Sequence, residues 1–159
     1  MSSPCSIAGL GLHLPRTAVP NTELERFVDT TDEWIRTRTG ITSRYFSQPD
    51  EPCSVLAHQA ACKALANAGV SPGDLTHIIV GTCSGDYNIP STSCLVQDML
   101  GLKGIPSFDL AAACSGFIYA LETARALTFL HPQARILVIG SEVVPSRVNF
   151  EDRSTCVLF

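Results

Sequence analysis

The sequence predicts an α/β domain built on parallel strands, and three observations carry that prediction. Short, almost continuously apolar runs alternate with stretches of helical length, and the breaks between them hold Gly, Pro and Ser. The apolar runs lack the in–out alternation of a half-exposed sheet, which is the mark of strands covered on both faces. With 159 residues, 45% of them hydrophobic, the chain has enough apolar surface for a substantial core.

Taken in order, the expected strands are Ser6 to Leu12, His77 to Gly81, Ser107 to Leu110, Arg135 to Ile139 and Thr155 to Phe159. Ser54 to Ala68 reads as a helix because it is alanine-rich, Ser54 can cap its start and Gly69 can end it. Its expected packing face is Val55, Cys62, Leu65 and Ala66. A shorter helix is expected from the Pro90-Ser91 turn to Leu100, with Gly101 as its stop. The longest is expected from Cys114 to about Phe129. Its apolar residues lie nearly all round the axis, with Glu122 and Arg125 as the charged exceptions, so the pattern predicts burial on every side, between two sheets. That needs more strands than the chain supplies. An apolar final strand, Thr155 to Phe159, with no turn or polar cap after it, points the same way: the chain reads as half of something.

The formal charge of −4 lacks the basic excess that a phosphate backbone requires, so nucleic acid is not an expected partner. No run spans a bilayer, and Met1-Ser2-Ser3-Pro4 leads into a stretch broken by Gly9, Gly11 and His13, unlike a signal peptide. Seven cysteines form no C-x-x-C pair, and the odd number suits a reducing cytoplasm better than a disulfide framework. The four histidines show no metal spacing, and Gly9-Leu10-Gly11 lacks the third glycine of a dinucleotide fingerprint, since Leu14 stands in its place. No metal and no tightly bound cofactor are expected.

The chemistry concentrates at Cys114. A cysteine at the first turn of a helix faces unpaired backbone N–H groups and the positive end of the helix dipole, which favour thiolate over thiol. Ala112, Ala113, Ser115 and Gly116 are small enough for a sharp strand-to-helix turn and a close approach by a thioester. The N–H of Cys114 and those after it can form one side of an oxyanion hole. Spacing alone also allows the blander reading of a small buried hydrophobe among alanines. Further back, Trp34 and Arg38 stand four apart, on one side of a helical turn, where an aromatic face and a guanidinium can clamp a flat ring. Equally, Trp34 could pack on a core edge with the arginines solvated, the class in which Arg26, Arg36 and Arg44 are expected to stay.

The run Asp109 to Leu121, DLAAACSGFIYAL, resembles the active-site segment of β-ketoacyl-acyl carrier protein synthase III, a thiolase-like condensing enzyme. Val28 to Ile41, VDTTDEWIRTRTGI, resembles a second signature of that family, and the likeness continues through Ile139 to Glu142 and Asp152 to Thr155. It covers residues 1–159 and corresponds to the N-terminal half of the family's length, the C-terminal half being absent. The resemblance implies a thiolase-like layered fold with a mostly parallel sheet and a buried central helix. It implies that Cys114 takes an acyl group from acyl-coenzyme A, after which malonyl-acyl carrier protein loses carbon dioxide and attacks the thioester. Trp34 and Arg38 would hold the adenine of coenzyme A, with Thr30 beside it and Arg153 at its phosphate region. Ile89, in Asn88-Ile89-Pro90-Ser91, would lie in a dimer-interface loop reaching toward the partner's acyl pocket, although an aromatic is frequent there. Ile89 is otherwise an ordinary loop anchor. The His and Asn that the family uses in condensation belong to the half beyond Phe159. Two other readings stand beside this one: a relative in secondary metabolism with another acyl acceptor, and a non-catalytic half-domain.

Overall fold

A computed structural model of the chain describes residues 5–144 and 148–159. Its internal contacts divide it into two units, Met1–His13 with Pro52–Glu142, and Leu14–Glu51 with Val143–Phe159.

The second of these opens with strand β1 (Thr17–Pro20), followed directly by α1 (Asn21–Leu24) and, after a loop, by α2 (Asp32–Thr39) and β2 (Ser43–Phe46). The two strands pair antiparallel, Thr17 opposite Phe46 and Pro20 opposite Ser43. This ribbon is absent from the expected strands because its four-residue runs have no apolar continuity. Thr31 caps α2, its Oγ1 accepting from the Trp34 N–H at 3.1 Å, and Gly40 ends it at φ 76°. Leu24, Ile35, Cys156 and Val157 form the core, with Trp34, Ile41 and Phe150 packed on it.

Thr155 to Phe159 is not the expected strand. Its start lies in a short helix, α6 (Arg153–Cys156), because Asp152 offers a local alternative: Oδ1 accepts from the Ser154 N–H at 2.8 Å and from its hydroxyl at 2.7 Å. Cys156 and Val157 are buried, whereas Leu158 and Phe159 are exposed.

One buried charge stands out here. Arg44, on β2, is not the solvated arginine expected but only 7% exposed. Its Nη2 donates to Asn21 Oδ1 at 3.1 Å and to the Val157 carbonyl at 3.4 Å, both neutral acceptors. Nε and Nη1 have no hydrogen-bond partner among the described residues, and burial holds the guanidinium below its usual pKa. The carboxylate of Asp32 is one amide away, on Asn21 Nδ2 at 2.8 Å.

In the first unit, α3 (Cys53–Ala68), β3 (His77–Gly81), α4 (Thr92–Met99), β4 (Ser107–Leu110), α5 (Gly116–Leu130) and β5 (Ile136–Gly140) make a layered α/β/α arrangement. The sheet is parallel with order β4-β3-β5, and Gly81 stands opposite both Leu110 and Gly140. Ile78, Ile79 and Val80 are fully buried, as a central strand covered on both faces requires. The pleat divides them: Ile78 and Val80 pack with Ala57, Ala61 and Leu65 of α3 and Val96 of α4, whereas Ile79 meets Ala120 and Ala124 of α5.

The helix ends follow the expected glycines, with Gly69 at φ 65° after α3 and Gly101 at φ 72° beyond α4. The start of α4 is held from β4. Asp109 accepts from the Thr92 and Ser93 N–H groups at 2.7 and 2.8 Å, so a carboxylate faces the positive end of the helix. Asp109→Ala is expected to cost about 1–2 kcal/mol, the scale of a lost cap, read as a lower denaturant midpoint at unchanged slope.

Three expectations for this unit are corrected. Ser6 to Leu12 forms no strand: no ladder partner lies beside it among the described residues, and it runs instead along α3, where the Leu10 N–H donates to Asn67 Oδ1 at 2.9 Å. Ile7, Leu10 and Leu12 are exposed there. The buried face of α3 is Cys53, Ser54, Leu56, Ala57, Ala61 and Leu65, leaving Cys62 and Ala66 outside, and its cap residue is Pro52, not Ser54. Finally, α5 starts at Gly116 rather than Cys114, is one residue shorter than the 16-residue α3, and is covered on one side only. Gly116, Ala120 and Ala124 are buried, but Ile118, Tyr119, Phe129 and Leu130 are 55–72% exposed.

Candidate active site

Each strand of the first unit ends at the same level, and the segments that leave those ends meet around Cys114. Carboxyl ends of parallel strands are where α/β sheets place their reactive groups. Beyond Leu110, the chain turns through a single 3₁₀ turn, Ala113–Ser115, before entering α5. Ala113 takes φ 45°, an unusual conformation for a residue with a Cβ, and it directly precedes the cysteine. The sharp strand-to-helix turn expected from the small residues is therefore present, tighter than a helix start.

Cys114 is exposed, which excludes the reading as a buried hydrophobe. The turn commits two of its N–H groups, Ser115 to the Ala112 carbonyl at 3.0 Å and Gly116 to that of Ala113. Among the described residues, the Cys114 N–H is the donor of the turn that remains for a developing oxyanion.

Close backbone approach makes this position possible. A Cβ added at Gly81 would lie 2.8–3.0 Å from backbone atoms of Gly116 and Phe117, so the start of α5 presses directly on the end of β3. The missing side chain of Gly81 thereby fixes how near Cys114 comes to the sheet.

Around the turn are groups that the sequence did not single out. Cys83, leaving β3, is exposed, and its Sγ accepts from the Ala113 N–H at 3.3 Å. Glu142, leaving β5, holds that segment: Oε1 accepts from the Cys83 N–H at 2.8 Å and Oε2 from the Ser84 hydroxyl. The partners are 30 and 59 residues apart, so no local spacing reveals them. Cys53 is buried nearby, hydrogen-bonded to Thr82 and Ser141, and burial pushes its thiol up. It is a packed group, unlike the two exposed thiols.

In the second unit, three of the expected residues converge. The Arg38 and Arg153 guanidinium carbons lie 5.9 and 4.8 Å from the Trp34 ring centroid, and Arg153 Nη1 donates to the Asp29 carbonyl at 2.9 Å. Thr30 is close in sequence, and its Oγ1 is buried with no hydrogen-bond partner among the described residues. An aromatic face, two cations and an unspent hydroxyl suit a flat, phosphorylated ligand. Ile89 projects from its loop with 90% exposure.

Among the described residues, no group of three or more His, Cys, Asp or Glu is placed to hold a metal ion, and no helix is long and apolar enough to cross a membrane.

Comparison with known proteins adds to this geometry. Residues 108–159 match the family model 3-oxoacyl-[acyl-carrier-protein] synthase III. Along its full length the chain is 50% identical to β-ketoacyl-[acyl-carrier-protein] synthase III of Oleidesulfovibrio alaskensis, covering 48% of that protein. The crystal structure of 3-oxoacyl-[acyl-carrier-protein] synthase III from Aquifex aeolicus VF5 superposes with a TM-score of 0.91 at 48% identity, over 96% of this chain and 49% of that one. The corresponding Thermus thermophilus structure gives 0.91 at 37% identity, over 98% and 48%. The chain spans about half the length of the curated relatives it matches.

Proposed function

The chain belongs to the β-ketoacyl-acyl carrier protein synthase III family of thiolase-like condensing enzymes, and from that membership we propose that it carries the acyl-capturing part of an enzyme that initiates fatty acid synthesis. The observation that supports this most is Cys114, an exposed thiol on a strained turn between β4 and α5.

In the first step, the Cys114 sulfur attacks the thioester carbonyl of an acyl-coenzyme A. The carbon–sulfur bond to coenzyme A breaks, coenzyme A leaves as its thiol with the proton that Cys114 gave up, and an acyl-cysteine remains. The Cys114 N–H stabilises the oxyanion that forms on the way. Trp34 and Arg38 hold the adenine, Arg153 meets the phosphate region, and the Thr30 hydroxyl supplies a further contact. In the complete enzyme malonyl-acyl carrier protein then loses carbon dioxide and attacks the acyl-cysteine, giving a β-ketoacyl-acyl carrier protein. Ile89 sits in the loop through which two copies associate and shapes the end of the acyl pocket.

Incubation with acetyl-coenzyme A radiolabelled in the acetyl group tests the first step. The expected result is thioester-linked label that maps to Cys114 by peptide mass spectrometry and is lost in Cys114→Ala. Label spread over the other six cysteines, or retained in Cys114→Ala, would count against the assignment.

A further inference from the structure

The proposed reaction gives Cys83 no part, yet its sulfur is one peptide unit from the nucleophile. Ala113 holds φ 45°, a region that a residue with a Cβ enters only when its surroundings impose it. Something must therefore keep that peptide in place. The Ala113 N–H donates to Cys83 Sγ at 3.3 Å. Cys83 is in turn anchored by the Glu142 carboxylate, through its own N–H at 2.8 Å and through the neighbouring Ser84 hydroxyl. The bonds form a chain across the three strand ends in sheet order: Glu142 after β5, Cys83 after β3, Ala113 after β4.

We propose that Cys83 is a positioning residue for Cys114, accepting the Ala113 N–H so that the strained turn presents the nucleophile in one orientation. This deepens the acyl-acceptor reading and rests on it. A thiol is a weak acceptor, so the side chain at position 83 has room for improvement as well as loss. Serine keeps an acceptor in place, whereas alanine removes it. Without the bond the peptide is free to relax out of the left-handed region, and the orientation of Cys114 spreads over several states.

The test is alkylation of the whole chain by iodoacetamide, with the rates at Cys114 and at the exposed Cys62 on α3 followed in the same digest. Cys62 serves as the internal reference for a change that merely loosens the protein. Cys83→Ala is expected to slow Cys114 about fivefold relative to Cys62, the scale of one neutral hydrogen bond. Cys83→Ser is expected to restore the wild-type ratio, which a loss of packing alone would not give. The proposal is overturned if Cys83→Ala matches wild type, or if the alanine and serine variants are equally slow. Wild type showing no preference for Cys114 over Cys62 is a different failure, because it removes the acyl-acceptor reading on which the proposal rests and the proposal with it.

Discussion

Gly81→Ala is expected to destabilise the protein by about 2 kcal/mol or more, at the upper end of what one added methyl does in a close-packed interior. The new Cβ would stand 2.8 Å from the Gly116 carbonyl carbon and 2.9 Å from the Phe117 nitrogen. These are backbone atoms, so no side-chain rotation relieves the overlap, and the start of α5 must move away from β3. Cys114 moves with it, because the 3₁₀ turn and the helix are continuous. The expected readings are a lower thermal midpoint together with slower labelling of Cys114. Gly116→Ala makes the contrast. A Cβ at position 116 meets the Leu110 carbonyl oxygen at 3.5 Å and the Gly81 Cα at 3.6 Å, which are ordinary contacts. The helix gains about 0.5–1 kcal/mol from alanine over glycine, so that variant should be neutral or slightly more stable. If both variants lose stability equally, the contact is not what limits the site.

Arg44→Met is expected to act in the other direction, raising stability by about 1–2 kcal/mol even though it deletes two hydrogen bonds. The guanidinium is buried at 7% exposure, its nearest acceptors are an amide oxygen and a carbonyl, and two of its nitrogens are unpaired among the described residues. Removing the bonds leaves Asn21 Oδ1 and the Val157 carbonyl short of a donor, a cost of about 1–3 kcal/mol each, at the low end for the carbonyl because its bond is long at 3.4 Å. Removing an uncompensated buried cation relieves several kcal/mol, and methionine fills most of the volume with an adaptable apolar chain. The desolvation term wins. Arg44→Lys separates charge from shape: it keeps the cation with fewer donors and should fall below wild type. A lower urea midpoint for Arg44→Met would show that the charge is compensated after all.

The contrast between these two sites shows what a sequence can disclose. Strands at His77 to Gly81 and Ser107 to Leu110 were legible as apolar runs, and Arg135 to Ile139 needed only a one-residue shift to Ile136–Gly140. Gly69 and Gly101 marked helix ends by their conformational freedom, which is a local property. Cys114, Trp34, Arg38 and Arg153 were legible through motifs, and the latter three do converge. What failed was tertiary. An apolar run becomes a strand only when a neighbour offers a ladder, so Ser6 to Leu12 stayed unpaired, while Asp152 supplied a cap that turned the next residues into α6. The acceptors at Asp109, Cys83 and Glu142 reach donors 16 to 59 residues away, and nothing in their immediate neighbours announces it. The burial of α5 was predicted from its composition, whereas burial depends on what is present to cover it.

The exposed face of α5 bears on how the 159-residue chain behaves as a colloid. Ile118 and Tyr119 near its start and Phe129 and Leu130 at its end are apolar and open to solvent, with the Glu122–Arg125 ion pair between them, and Ile7, Leu10 and Leu12 add further exposed apolar surface. Attraction between molecules grows with concentration and with salts such as sulfate that strengthen apolar burial, and mild denaturant weakens it. Dilute, low-salt handling keeps such molecules apart, and ammonium sulfate gathers them early.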